Sequence, residues 1–185
     1  MKLLIVGAGG HGRCCLDIVR ENSIYEEICF LDDCGIGNIV NGVKIAGNIE
    51  SLNSYSSDYD VLVAVGNNAF REKLILQAEE LGHKVITLVS SKSTVSDYAL
   101  VQAGTVVFPG AVVEANAQIG KGCIVAANTT INHDAVVEDY TLVNSNSVIR
   151  PNAVLKSKAK IGSHCVITFG KTIESEQEIL DGQTV

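Results

Sequence analysis

The sequence predicts two folded parts in tandem: an α/β Rossmann-like half-domain over residues 1–90, then a parallel β-helix of hexapeptide repeats over residues 95–185. Three observations predict it. In the first ninety residues, aliphatic runs alternate with amphipathic stretches, and the first run enters a glycine turn, Gly7-Ala8-Gly9-Gly10-His11-Gly12. From Val95 to Ile179 a branched aliphatic residue recurs at every sixth position without exception. Four places after each of these, a small residue recurs from Ala99 to Cys165.

The N-terminal elements follow in order. Lys2–Val6 is a short aliphatic strand, and the glycine turn after it opens a helical pattern through Cys15, Leu16 and Val19. A second strand, Ile28–Leu31, ends at Asp32-Asp33, and Val43–Ala46 reads as a third. Asp60–Val65 is a buried strand closing on Gly66-Asn67-Asn68. Phe70–Leu81 is an amphipathic helix stopped by Gly82, His83 reads as a surface residue, and Lys84–Leu88 is a last strand. The turn satisfies G-x-G-x-x-G at Gly7, Gly9 and Gly12, between a strand and a helix, so its amides suit a phosphate. Asp32 lies twenty residues past Gly12, the distance of a ribose or base contact. A tight turn without a ligand is the plainer alternative. An NAD-dependent oxidoreductase is the rival, but a dinucleotide fold uses two mononucleotide halves and ninety residues hold one. A mononucleotide diphosphate fits better.

The hexads have a direct physical reading. Six residues make a short strand and a turn, three such units make one coil, and stacked strands lie about 4.8 Å apart. The first position forms an inner ladder. The fifth lies in a tight corner, where a large side chain would overpack the interior. The small-residue rule fails at Lys171, Gln177 and Gln183, so an irregular last coil is expected. His133 is the third residue of its hexad and lies outside the ladder, followed by Asp134. A carboxylate there can fix the tautomer of the imidazole, which otherwise reads as a solvated turn histidine. Asn128 and Asn146 are three hexads apart and stack on successive coils, as a structural asparagine ladder or as part of a site.

Composition excludes several classes. With 46% hydrophobic residues and only 2 prolines, the chain is neither disordered nor collagen-like. No apolar run approaches the roughly 18 residues of a membrane span, and Leu3–Val6 is too short for a signal-peptide core of about 7–15. The expectation is a cytoplasmic protein with no membrane partner. A net charge of −7 argues against nucleic acid. Cysteines 14, 15, 29, 34, 123 and 165 give neither a CxxC nor a zinc spacing, so free thiols and no metal are expected.

A GAGGHG turn, a DD pair closing the second strand, a VGNN-x-x-R turn and a hexapeptide helix carrying NHD occur in that order. This resembles the NeuD/PglD family of bacterial nucleotide-sugar acyltransferases, over about residues 1–180. The resemblance implies a left-handed β-helix, a homotrimer, a nucleotide-linked amino sugar on the N-terminal domain, and acetyl-CoA as co-substrate without a metal. It implies that Gly9, Gly10, His11 and Gly12 form the diphosphate turn, that Asp32 and Asp33 lie near the base, and that Gly66, Asn67 and Arg71 form the second wall. His133 falls on the general base, with Asp134 behind it and Asn128 in an Asn-x-x-x-x-His relation. The implied reaction moves an acetyl or related acyl group from acyl-CoA to the amino group of the sugar, in bacterial glycan biosynthesis. The alternatives are a sialic-acid-type O-acetyltransferase and a non-catalytic nucleotide-sugar-binding β-helix. The chain departs from the family pattern in three places: an extra hexad after INHDAV, Leu142 where histidine is frequent, and no closing G-V-P-A-K tail.

The segment 140–173 carries five basic residues, Arg150, Lys156, Lys158, Lys160 and Lys171, and no acidic one. Lys156, Lys158 and Lys160 alternate with inward Leu155 and Ala159 and are expected to face outward as an acid-free strip. With Asn128 and Asn146 they are the candidate acyl-CoA contacts, since coenzyme A carries a 3′-phosphate and a diphosphate. The plainer reading is a solvated lysine turn guarding an exposed edge.

Overall fold

In the computed structural model, which describes residues 1–22 and 24–185, the chain divides into two units, Met1–Leu88 and Val89–Val185. The first unit is built around β1 (Lys2–Val6), whose Leu3, Leu4 and Ile5 are wholly buried. Such a run, without alternation, is what a parallel strand covered on both faces requires. The turn after β1 leads into α1 (Gly10–Asn22), β2 (Glu27–Leu31), β3 (Ile39–Val40) and β4 (Val43–Gly47). A 3₁₀ turn (Ile49–Ser54), β5 (Tyr59–Val63) and α2 (Asn68–Glu80) complete it. The sheet order is β3-β4-β2-β1-β5, parallel except for the β3–β4 hairpin. Because β1 has β2 on one side and β5 on the other, the strand order reverses at β1, and a crevice forms at the carboxyl ends of these strands. Three sequence signals lie there: the glycine turn after β1, Asp32-Asp33 after β2, and Gly66-Asn67 after β5.

Two local expectations change. The strand expected over Lys84–Leu88 shrinks to one bridge, Val85 to Val61, and Leu88–Val89 (β6) instead begins a face of the second unit. The apolar run is shared between two cores, and periodicity alone does not divide it. His83 is 4% exposed rather than on the surface. Gly82, at φ +82°, turns the chain back under α2, so that the His83 amide donates to the Ala78 carbonyl and the ring Nδ1 lies 3.0 Å from the Tyr59 carbonyl.

The second unit is a parallel β-helix of two-residue strands, from β6 to a last strand at Glu178–Ile179. They form three faces in a register of three hexads, as in Val113 opposite Ile131 and Val137 opposite Leu155. The first-position ladder from Val107 to Ile179 is at most 4% exposed throughout. The fifth-position residues Thr105 to Cys165 are fully buried, and their polar atoms are satisfied between coils. The Thr105 hydroxyl donates to the Gly120 carbonyl and accepts the Cys123 amide, and Ser147 does the same for Gly162 and Cys165.

The fourth position has its own rule, which the hydrophobic pattern does not reveal. Every sixth residue from Gly104 to Gly182 has positive φ. Glycine, asparagine and aspartate are the types that accept this left-handed corner most easily. In the last coil Lys171 is exposed, and Gln177 and Gln183 fold back to accept the Glu174 and Leu180 amides. That is why the small-residue rule ends there.

Candidate active site

The four glycines of the first turn divide into two pairs. A Cβ on Gly12 would run into the Gly7 carbonyl, and Gly7, at φ +106°, has the Ala64 carbonyl 2.7 Å from where its Cβ would lie. These two are required by packing. A Cβ on Gly9 would meet nothing within 4 Å, and one on Gly10 only the tip of Arg13, at 3.9 Å. The space above Gly9 and Gly10, at the amino end of α1, is open. An absent side chain there leaves backbone N–H groups exposed to an anion.

The acidic pair splits likewise. The Asp32 carboxylate accepts the Ala8 amide at 2.7 Å and the Cys34 amide at 2.9 Å, tying the glycine turn to the end of β2. Asp33 accepts the Ile49 amide at 3.0 Å and lines a cavity of about 540 Å³ with Asn48, Phe70, Lys73 and Gln77. Phe70, Lys73 and Gln77 are new to the site. Their signal was a stripe at i, i+3 and i+7 on the amphipathic helix. Asn67 accepts the Phe70 amide and so caps α2. Arg71, expected in the pocket wall, is 0% exposed. Its guanidinium donates to the Val65 and Gly66 carbonyls and to the Asn68 side chain, so it supports the wall from inside.

His11 lies in the first turn of α1, with Nε2 3.8 Å from the Cys15 sulfur. Burial, and then the Arg71 guanidinium, push its pKa down to about 4, so it is neutral at pH 7. A histidine with a depressed folded pKa takes up its proton more readily when unfolded. Its contribution to stability is complete above the unfolded pKa of about 6.5 and is lost as the pH falls toward 4, with a slope approaching about 1.4 kcal/mol per pH unit. His11→Asn is expected to flatten that slope, which urea titrations across this range measure.

His133 and Asp134 occupy the turn that closes from Asn132 to Ala135. Asp134 takes the left-handed corner at φ +60°, and its Oδ2 lies 2.7 Å from His133 Nδ1. A carboxylate only accepts, so the proton sits on Nδ1 and Nε2 carries the free lone pair. Both side chains are about half exposed. The hydrogen bond from His133, helped by Asn116, holds the Asp134 carboxyl below the usual range. The His133 amide donates to Glu114 Oε2 at 2.8 Å. Asn128 and Asn146 both occupy left-handed corners, at φ +58° and +61°, so the backbone alone accounts for asparagine there. Asn128 also leans over Gly110, where a Cβ would strike its side-chain oxygen.

The acid-free lysine strip does not form. Lys156 pairs with Glu138 at 2.9 Å, Lys158 with Glu176 at 3.1 Å and Lys160 with Glu178 at 2.6 Å. Each partner is three hexads away along the chain, on the neighbouring coil and outside the acid-free segment. The strip is neutral, and its partly exposed pairs are each worth about 0–1 kcal/mol. Changing all three lysines to Gln is expected to move an acyl-CoA KM by less than about twofold. A KM that rises and loses its salt dependence would restore them as contacts. The cations of this segment without an ion pair among the described residues are Arg150 and Lys171.

Among the described residues no group of three or more His, Cys, Asp or Glu is placed to hold a metal ion, and no helix is long and apolar enough to cross a membrane. Residues 2–78 match the PglD N-terminal domain family, and residues 98–133 match the bacterial transferase hexapeptide repeat. The chain is 32% identical over 114 residues to a UDP-N-acetylbacillosamine N-acetyltransferase of Bacillus subtilis (strain 168), across 57% of this chain and 50% of that protein. The match thus spans about half of the Bacillus enzyme. The acetyltransferase domain of PglB from Neisseria gonorrhoeae FA1090 superposes with a TM-score of 0.97 at 32% identity, covering 100% of this chain and 90% of that one. The same domain in complex with acetyl coenzyme A superposes with a TM-score of 0.91 at 33% identity, covering 100% and 95%. The architecture is therefore an α/β half-domain followed by a left-handed hexapeptide β-helix.

Proposed function

The chain belongs to the NeuD/PglD family of bacterial nucleotide-sugar acyltransferases, and on that premise we propose that it acylates the amino group of a nucleotide-linked amino sugar, with acetyl-CoA as donor. The observation that carries the reading is the 2.7 Å pair of His133 and Asp134 on an exposed corner of the β-helix. The sugar's neutral amine attacks the thioester carbonyl. The C–N bond forms, the amine proton passes to His133 Nε2, and the carbon–sulfur bond breaks to release CoA, whose thiolate takes up the proton. Asp134 holds the ring in the tautomer that leaves Nε2 free and stabilises the imidazolium. The nucleotide part is assigned to the first unit, its diphosphate over Gly9 and Gly10 and its base toward the Asp33 cavity.

A thioester-release assay tests this, with acetyl-CoA offered against UDP-, dTDP- and GDP-linked amino sugars and against a hydroxyl acceptor of sialic-acid type. Release dependent on an amino sugar supports the reading. Release with the hydroxyl acceptor alone assigns O-acetylation instead, and no release with any acceptor leaves a binding protein. The protein is expected to assemble as a homotrimer, closed by repeated heterologous contacts. A monomeric mass by light scattering at micromolar concentration would contradict that.

A further inference from the structure

The turn that carries His133 lies directly over the turn 114–117. The Glu114 amide donates to the Ile131 carbonyl at 2.9 Å, and the Asp134 amide donates to the Ala115 carbonyl at 3.2 Å. The His133 amide faces outward, away from this ladder, and Glu114 Oε2 accepts it at 2.8 Å. The same device recurs, with the same spacing along the chain, where Glu138 accepts the Ser157 amide at 3.0 Å. There the carboxylate is neutralised by Lys156. Glu114 has no ion pair among the described residues, so no cation offsets the carboxylate that holds the His133 amide. Two residues on, Asn116 takes the left-handed corner one coil below that of Asp134, with φ +60° at each, next to Ala115, whose carbonyl accepts the Asp134 amide. The charged residues around this turn are Asp134 on the turn itself, Glu114 on the coil below, and Arg150 on the coil above, next to Ile149, whose carbonyl accepts the Asn132 amide.

We infer that Glu114 and Asn116 are positioning residues for the acyl transfer: Glu114 holds the backbone of His133, and Asn116 supports Asp134 from the matching corner of the coil below. The inference rests on His133 as general base. Neither residue meets substrate in this account. Both act through the pair above them.

Charge exchange tests it. Glu114→Gln keeps an acceptor for the His133 amide and removes one negative charge. Asn116→Asp keeps a residue type that accepts positive φ, as Asp134 itself does, and adds one. A general base works in its neutral form, so the acid limb of kcat/KM follows the titration of the imidazole. The limb is expected to move down by about half a unit or more in Glu114→Gln and up by a similar amount in Asn116→Asp. In the double variant it should return close to its original position. The imidazole resonance that is missing from His133→Ala, followed by NMR titration without ligands, should shift in the same directions. A purely structural role would move neither titration, or would move both single variants the same way. If His133→Ala is inactive and the titrations do not move, the inference fails and the general base stands. If His133→Ala turns over normally, both fail.

Discussion

His133→Ala is expected to lower turnover by about 10²–10⁴-fold, the usual worth of a positioned general base. Binding of the nucleotide sugar should stay near wild type, because its contacts are assigned to the first unit. The fold should not suffer either. The side chain lies outside the inner ladder, is 54% exposed, and its ring contact runs to Asp134 rather than to the core. The loss should therefore appear in kcat with little change in the affinity for either substrate. Asp134→Asn is expected to lose less, since Nε2 survives but the tautomer is no longer enforced. Steady-state kinetics with calorimetry of the nucleotide sugar separates these terms. Turnover of His133→Ala within a few-fold of wild type would remove this residue from the reaction.

Gly9→Val and Gly10→Val are expected to abolish most of the binding of the sugar nucleotide while leaving the protein folded. Hydrogen bonds to a charged group are each worth about 1.5–3 kcal/mol, so losing one such contact weakens binding roughly 10- to 100-fold. A Cβ at Gly9 meets nothing within 4 Å and one at Gly10 only the tip of Arg13, so the free protein is expected to keep its fold. Gly12→Ala is the contrast. Its Cβ would strike the Gly7 carbonyl, so it is expected to destabilise the first unit by about 3 kcal/mol or more. Thermal unfolding beside calorimetry distinguishes the two classes. Wild-type affinity in Gly9→Val and Gly10→Val together would make this turn a structural element only.

The repeat was legible in the sequence because each hexad states its own geometry. A branched residue at the first place and a small one at the fifth are demanded by a coil too narrow for anything else, and Val107 to Ile179 obey that at almost zero exposure. The pairing of His133 with Asp134 was legible for a similar reason, since the two are adjacent in one turn. The glycine motif was legible as a turn, but not which glycine does what. Only the carbonyls of Gly7 and Ala64, brought in by the fold, separate the packed pair from the open pair. Asp32 and Arg71 read along the chain as ligand contacts, and only the fold shows the hydrogen bonds to backbone that each of them makes. The lysines of 156–160 make the same point for charge. A window along the chain shows no acid near them, while the coil sets each one against a glutamate three hexads away. Glu114 and Asn116 came into view by the same route, one coil beneath His133 and Asp134. A side chain's conformation is fixed within a few residues of sequence, but the groups that charge, neutralise or hold it are its neighbours in space. In a β-helix those neighbours come from the adjacent coil.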